Sequence, residues 1–207
     1  MNRPLIVTGT DTDIGKTVFA AGLAAALGAH YWKPVQAGLD DGSDSGRVAA
    51  LGVPKDKILP EAYRLTTPCS PHRAAEIDGV TIDPAQLDLP DIAGPLVVEG
   101  AGGVLVPVTR DLLYADLFAR WGAPTIIVAR TALGTINHSL LTIEALRSRK
   151  VSILGIAFIG EPEPDSEDTI CAISGVARLG RLPMLDPLTP DTLAAAFADA
   201  FDLAQFA

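Results

Sequence analysis

What this chain has little of narrows its function before any motif is read. Its 207 residues carry 16 Lys and Arg against 25 Asp and Glu, a formal net charge of -9. It lacks the basic surface that a phosphate backbone demands, so nucleic acid is not an expected partner. Long apolar runs are also missing: the longest, residues 18–29, is broken by Gly22 and Gly28 and falls well short of the about 20 residues of a membrane span. It reads as a buried helix, and no membrane partner is expected. Cysteine is scarce, and Cys69 and Cys171 stand alone rather than in a CxxC, a pattern of small buried or incidental residues more than of redox or metal chemistry. His30, His72 and His138 never fall in a ligand spacing such as HExxH, which leaves no basis for a zinc site. From Met1 the chain enters the apolar run Leu5-Ile6-Val7 without the basic region, apolar core and cleavage site of a secretory leader, so a cytoplasmic protein is expected.

What is there is 48% hydrophobic, enough for one substantial core and too short a chain for two, so residues 1–207 are expected to form one domain. Short β-branched runs alternate with Ala- and Leu-rich segments of helical period, the signature of βαβ units and a mostly parallel sheet covered on both faces. The expected class is α/β, in three layers. Strands are predicted over residues 5–8, 30–33, 95–99, 125–129, 153–159 and 180–182. Helices are predicted over 16–27, 45–51, 113–121, 136–149, 166–174 and 191–206. Residues 52–94, rich in Pro, Asp and Gly, show no clean period and read as a long irregular segment, a feature often functional. The acidic run over residues 161–167 reads as a solvated loop.

The strongest local signal follows the first strand. Gly9-Thr10-Asp11-Thr12-Asp13-Ile14-Gly15-Lys16-Thr17 leads into an apolar helix, the strand, loop, GKT and helix order of a phosphate-binding P-loop. Backbone N–H groups of such a loop surround a polyphosphate, and the new helix points its positive end at it. Lys16 adds a full charge, and the Thr17 hydroxyl is placed to ligate Mg²⁺. Gly9 and Gly15 are separated by five residues where four are usual, so Thr10 stands at the position of the standard first glycine.

Two further strand ends carry charge. Leu96-Val97-Val98-Glu99 runs into Gly100-Ala101-Gly102-Gly103, and in an open parallel sheet ligands gather at the carboxyl ends of strands. Glu99 would there hold Mg²⁺ directly or through water; the bland reading is an acid that merely ends a strand. Lys33 closes the second strand, before Pro34-Val35-Gln36-Ala37-Gly38. At that edge it would stabilise a transferring phosphoryl group or bind a carboxylate-like intermediate, or simply be solvated. Gly134-Thr135-Ile136-Asn137-His138 opens a helix whose N-terminus is a ready anion site, with Asn137 as an ordinary cap in the plainer reading.

Taken together, GTDTDIGKT, KPVQAG, CSPH, VEGAGG and GTINHS, in this order over residues 5–160, resemble dethiobiotin synthetase. The resemblance implies a P-loop NTPase-like fold and an ATP- and Mg²⁺-dependent ligase. One amine of 7,8-diaminopelargonic acid would take up CO₂ as a carbamate, the carbamate would accept the γ-phosphoryl group of ATP, and the second amine would close the ureido ring. It implies that Thr12, Asp13, Ile14, Gly15, Lys16 and Thr17, with Glu99, Gly100, Gly102 and Gly103, bind the nucleotide. Thr17, Glu99 and Asp44 would be the Mg²⁺ ligands, with Asp40 and Asp41 as alternatives to Asp44. Lys16 and Lys33 would neutralise carbamate and γ-phosphate oxygens. Thr10, Lys33 and Ala37 would line the substrate site, and the N–H groups of Thr135, Ile136 and Asn137 would hold the substrate carboxylate across a homodimer interface. Pro71, His72 and Ala75 would shape the wall of the site.

Two departures from the family pattern carry expectations of their own. Ala37 stands where a hydroxyl residue is common, so one hydrogen bond to the carbamate region is lost or comes from elsewhere, Gln36 being one candidate. Ala157-Phe158-Ile159-Gly160-Glu161 holds no Asn where the family reads adenine, which predicts weak base selectivity and use of other nucleoside triphosphates. Partitioning and division-site ATPases, which share the sheet type, are the main rival. Their KGGxxKT loop has a lysine where this chain has Asp11, and glycines where it has Thr12 and Asp13. Amidating synthetases of cobalamin precursors share the loop type but append a glutaminase domain for which 207 residues leave no room.

Overall fold

The computed structural model describes residues 4–40 and 42–206. Six strands, β1 (Leu5–Gly9), β2 (His30–Trp32), β5 (Leu96–Gly103), β6 (Thr125–Arg130), β7 (Ile153–Ile159) and β8 (Arg178–Leu182), form a sheet in the order β2-β5-β1-β6-β7-β8, and every pairing in it is parallel. Neighbours along a strand face opposite sides: Val7, Ile126 and Val128 enter one core, Ile6, Ile127 and Ala129 the other. Both faces are therefore dry, which is why the strands read as continuous apolar runs rather than as an alternation.

Helices cover each face and complete three layers. On one side α1 (Lys16–Leu27), α2 (Asp44–Ala50) and α7 (Pro190–Ala200) supply Phe19, Leu23, Val48, Leu193 and Phe197. On the other, α3 (Pro71–Asp78), α4 (Tyr114–Trp121), α5 (Thr135–Ser148) and α6 (Pro164–Ser174) supply Ala74, Phe118, Ile143 and Ile170. The alanines of α1 favour helix, and Gly28, with φ 58°, ends it by donating its N–H back to Ala24 and Ala25.

The six predicted strands and six predicted helices are all present, with ends shifted by a few residues. Three expectations are corrected, the first being that the acidic run over residues 161–167 is a solvated loop: α6 begins at Pro164, and Glu167 is buried and paired with Arg178 and Arg181. Residues 52–94 are not irregular throughout: they hold β4 (Tyr63–Leu65) and α3, and β4 pairs in parallel with β3 (Val35–Ala37) in a small second sheet. Three-residue strands are too short to show a period, and Pro34 ends β2 and redirects the chain into β3. The last helix stops at Ala200 rather than at 206, because Phe201 turns extended and enters the core.

β1 lies between β5 and β6, with Gly9 beside Gly103 and Val128. Along β5 the pairing jumps from Glu99 opposite Val7 to Gly103 opposite Gly9, so the glycine run bulges out against the loop that follows β1. The carboxyl ends of these strands form the edge at which an open parallel sheet binds ligands.

Candidate active site

The chain leaves β1 at Gly9, where a Cβ would lie 2.5 Å from Ile14 Cδ1. Asp13 and Gly15 both take positive φ, 53° and 92°, which folds residues 10–15 into a compact turn. Gly15 is the N-cap of α1 and no side chain caps the first turn, so its orphan amides and the helix dipole face the loop as an anion site. The end of β7 closes over this turn, since a Cβ on Gly15 would meet Ile159 Cδ1 at 2.6 Å.

Lys16 folds back over the loop and donates to the Asp11 carbonyl at 2.5 Å. Burial, then the charge of Lys33, lower its pKa to about 8. An ammonium held in so dry a place without a hydrogen-bonded carboxylate gains from any arriving anion.

Lys33, at the exit of β2, is 3% exposed. Its ammonium lies 2.7 Å from Asp44 Oδ2 and 3.0 Å from Glu99 Oε1, and it donates to the Gly100 carbonyl at 3.0 Å. Burial alone would lower its pKa, but Glu99 and Asp44 outweigh burial and hold it above the ordinary lysine value. Burial likewise opposes the charge of Asp44, and Lys33 prevails, keeping that carboxyl below its usual range. The two lysines are thus in opposite states of satisfaction within one site.

Thr17, in the first turn of α1, lies 2.9 Å from Glu99 Oε1 and 3.1 Å from Asp44 Oδ1. A hydroxyl and two carboxylates so arranged are a hard-oxygen set of the kind Mg²⁺ takes, with phosphate oxygens and water completing the shell. Among the described residues no cluster of three or more His, Cys, Asp or Glu offers another metal centre. Asp40 is exposed, Asp44 is the acid that reaches Thr17 and Lys33, and Asp41 lies outside the described residues.

Two supporting residues were not assigned these roles by sequence reasoning. Tyr31, fully buried on β2, donates its hydroxyl to Glu99 Oε2 at 2.8 Å. Gln36, 6% exposed, accepts from the Asp44 N–H at 2.9 Å and donates to the Gly38 carbonyl at 3.0 Å. Gln36, one of the alternatives for the hydrogen bond missing at Ala37, thus has its amide engaged with Asp44 and Gly38. A buried Tyr and Gln on strands look like core in the sequence, and only the fold shows what their polar ends touch.

The other expected residues fall at the same edge of the sheet. Thr10, on β1's exit, donates its N–H to Val128; Thr12 and Asp13 are exposed on the loop crown. Gly102 takes φ 63° and its Cα side faces the Thr12 hydroxyl, while Gly103 lies against the Thr10 carbonyl. Ala37 ends β3 half-buried opposite Leu65.

At the start of α5, Thr135, Ile136 and Asn137 line a cavity of about 450 Å³ with Leu133, Gly134 and Ser166. The helix begins at Thr135 after Gly134 as N-cap, with no side-chain cap, so Asn137 is exposed in the first turn and is not the capping residue. The Thr135 N–H is already given to the Ala132 carbonyl at 3.1 Å, which leaves Ile136 and Asn137 as first-turn donors. Its hydroxyl is buried with no partner among the described residues. His72 and Ala75 line a different, shallower cavity of about 200 Å³ with Glu76, Val108 and Arg110, not the lysine and carboxylate cluster. Pro71 opens α3 as its first residue.

A parallel sheet carrying a glycine-bounded loop into a helix, with a second-strand lysine and a metal-type oxygen set beside it, defines a P-loop nucleotide-dependent protein. In fold it is similar to the cell-division ATPase MinD of Pyrococcus furiosus (TM-score 0.60, 15% identity, 95% of each chain covered) and to MinD of Pyrococcus horikoshii complexed with Mg-ADP (TM-score 0.58, 14% identity, 95% and 86% covered). An AAA domain family model matches residues 3–192. Among curated proteins the chain is 66% identical to the ATP-dependent dethiobiotin synthetase BioD of Rhizorhabdus wittichii over the full length of both. It is 65% identical to that of Novosphingobium aromaticivorans (98% of each covered) and 64% to that of Rhodopseudomonas palustris strain BisB18 (100% and 99% covered). The chain belongs to the ATP-dependent dethiobiotin synthetase family of ligases.

Proposed function

We propose that the whole chain, as one catalytic domain, uses ATP, Mg²⁺ and CO₂ to close the ureido ring of dethiobiotin on 7,8-diaminopelargonic acid. The observation that carries this is the convergence of Lys33, Asp44, Glu99 and Thr17 beside the loop that holds Lys16. One amine takes up CO₂ to form a carbamate, whose oxygen attacks the γ-phosphorus and displaces ADP. The second amine attacks the carbonyl of the resulting carbamic-phosphoric anhydride and displaces phosphate. Such chemistry needs no nucleophilic side chain; it depends on position and on charge stabilisation.

Each residue then has a task. The loop amides and Lys16 bind the β- and γ-phosphates, and Thr17, Asp44 and Glu99 would hold Mg²⁺, which supplies charge neutralisation between the phosphates. Lys33, its charge fixed by two carboxylates, faces the carbamate and γ-phosphate oxygens. Asp13 accepts a hydrogen bond from a substrate amine or a loop amide, and the small side chain of Ala37 leaves room for the substrate beside Thr10. The Ile136 and Asn137 N–H groups and the Thr135 hydroxyl take the far carboxylate, with the diamine lying at the interface of a homodimer. The protein works in the cytoplasm. Incubation with ATP, Mg²⁺, bicarbonate and diaminopelargonate should give the cyclised product by mass spectrometry, and its absence alongside hydrolysis stimulated by lipid or DNA would overturn the reading.

Base selectivity rests on Ile159. Its side chain packs on Gly15 and offers no amide, so the purine edge meets no bidentate partner there and other nucleoside triphosphates should serve. Rates with ATP, CTP and GTP at sub-saturating concentration are expected to lie within about 10²-fold of one another, the range that remains without a dedicated hydrogen-bonding pair. A strong ATP preference would exclude this.

A further inference from the structure

Glu99 is fully buried and its two oxygens are held differently. Oε1 faces the site, 2.9 Å from the Thr17 hydroxyl and 3.0 Å from the Lys33 ammonium, while Oε2 accepts from the Tyr31 hydroxyl at 2.8 Å. Tyr31 comes from β2, one strand from the P-loop strand on the far side of β5, and its ring is packed in the apolar core with no exposure. We propose that Tyr31 is a positioning residue for the phosphoryl-transfer site, which fixes the plane of the Glu99 carboxylate so that a single oxygen is presented to the metal. The inference rests on the reading of Glu99 as a ligand of the nucleotide-bound Mg²⁺.

Rotation and competition both act on this carboxylate. The terminal torsion of a glutamate is broad and roughly two-fold, so a carboxylate in a dry site turns unless both oxygens are tied. Lys33 is a strong competitor: freed from Tyr31, Glu99 can offer both oxygens to that ammonium and withdraw from Thr17. Hydrogen-bond partners behind a metal ligand commonly control affinity by 10–100-fold.

The measurement is Mn²⁺ binding, followed by electron paramagnetic resonance with the protein and ADP, together with the Mg²⁺ dependence of turnover. Tyr31→Phe keeps the ring and removes only the donor. Mn²⁺ affinity is expected to fall about 10–100-fold, and the Mg²⁺ concentration for half-maximal rate to rise in step, with kcat recovered at saturating Mg²⁺. Placing 4-aminophenylalanine at position 31 restores a donor at the same point and should recover most of the affinity. Metal affinity within twofold of the unsubstituted protein in Tyr31→Phe, or no recovery with the amino ring, overturns the positioning role. Glu99→Gln separates the two levels: it should abolish tight Mn²⁺ binding, and if it does not, the metal reading falls and the Tyr31 inference with it.

Discussion

Lys16 and Lys33 show at the scale of single residues that two buried ammonium groups in one site have opposite energetics. Lys33 is enclosed by two carboxylates and a carbonyl; Lys16 donates to the Asp11 carbonyl and has a pKa lowered to about 8 by burial and then by Lys33. Both face the same phosphate in the proposed reaction, so Lys16→Ala or Lys33→Ala should each lower turnover by about 10²–10³-fold, the usual loss for one preorganised charge stabiliser. Near-normal turnover in either variant would remove its assigned role. Their effects on stability should diverge. Lys33→Met strands the fully buried Glu99 beside a partly exposed Asp44 and is expected to cost about 3–5 kcal/mol in urea unfolding. Lys16→Met removes a charge that the fold disfavours, so its thermal midpoint at pH 7 should equal or exceed that of the unsubstituted protein. The sign follows from a folded pKa below the unfolded one: the charged lysine opposes folding below about pH 8, and that cost fades as the pH rises towards 10.5.

α1 shows at the scale of elements how packing overrules propensity. Gly22 sits mid-helix, where Ala would ordinarily gain about 1 kcal/mol. A Cβ there would lie 2.5 Å from Phe197 Cδ2 on α7. Phe197 cannot easily step aside, because its ring lies 5.5 Å from Phe19 and 4.5 Å from Phe201. Overpacking commonly costs 1–3 kcal/mol, so Gly22→Ala should lower the unfolding free energy in urea by a net of about 0–2 kcal/mol, and a rise would show that α7 yields. Element boundaries were legible where caps and period agree. α1 runs over the predicted residues 16–27, while α3, despite Pro71 at its start and Gly79 at its end, was hidden by a segment of mixed composition. β3 and β4 could not be read at all, since three residues define no alternation.

For the whole molecule, the open question of assembly turns on α5. Leu133, which lines the cavity assigned to the substrate carboxylate, is fully exposed just before that helix, and Leu141 is half-exposed further along it. Sedimentation at working concentration should find a dimer, and a strictly monomeric enzyme of full activity would contradict a substrate site completed across an interface. Likeness to MinD proteins at 14–15% identity marks a shared fold; the family is decided by full-length identity to the dethiobiotin synthetases.

The amino-acid order by itself determined the hydrophobic periods, the phosphate loop and the family motifs, because each is a pattern among near neighbours. Which acid meets which base was left to the tertiary structure. Thr17 and Glu99 stand 82 positions apart and Tyr31 and Glu99 stand 68 apart, and they meet only because the register of β5 against β1 and β2 brings Glu99 opposite Val7 and one residue past the Val98 pairing with Trp32. Such registers come from burying both faces of a whole sheet at once, a condition that no local stretch of sequence can state.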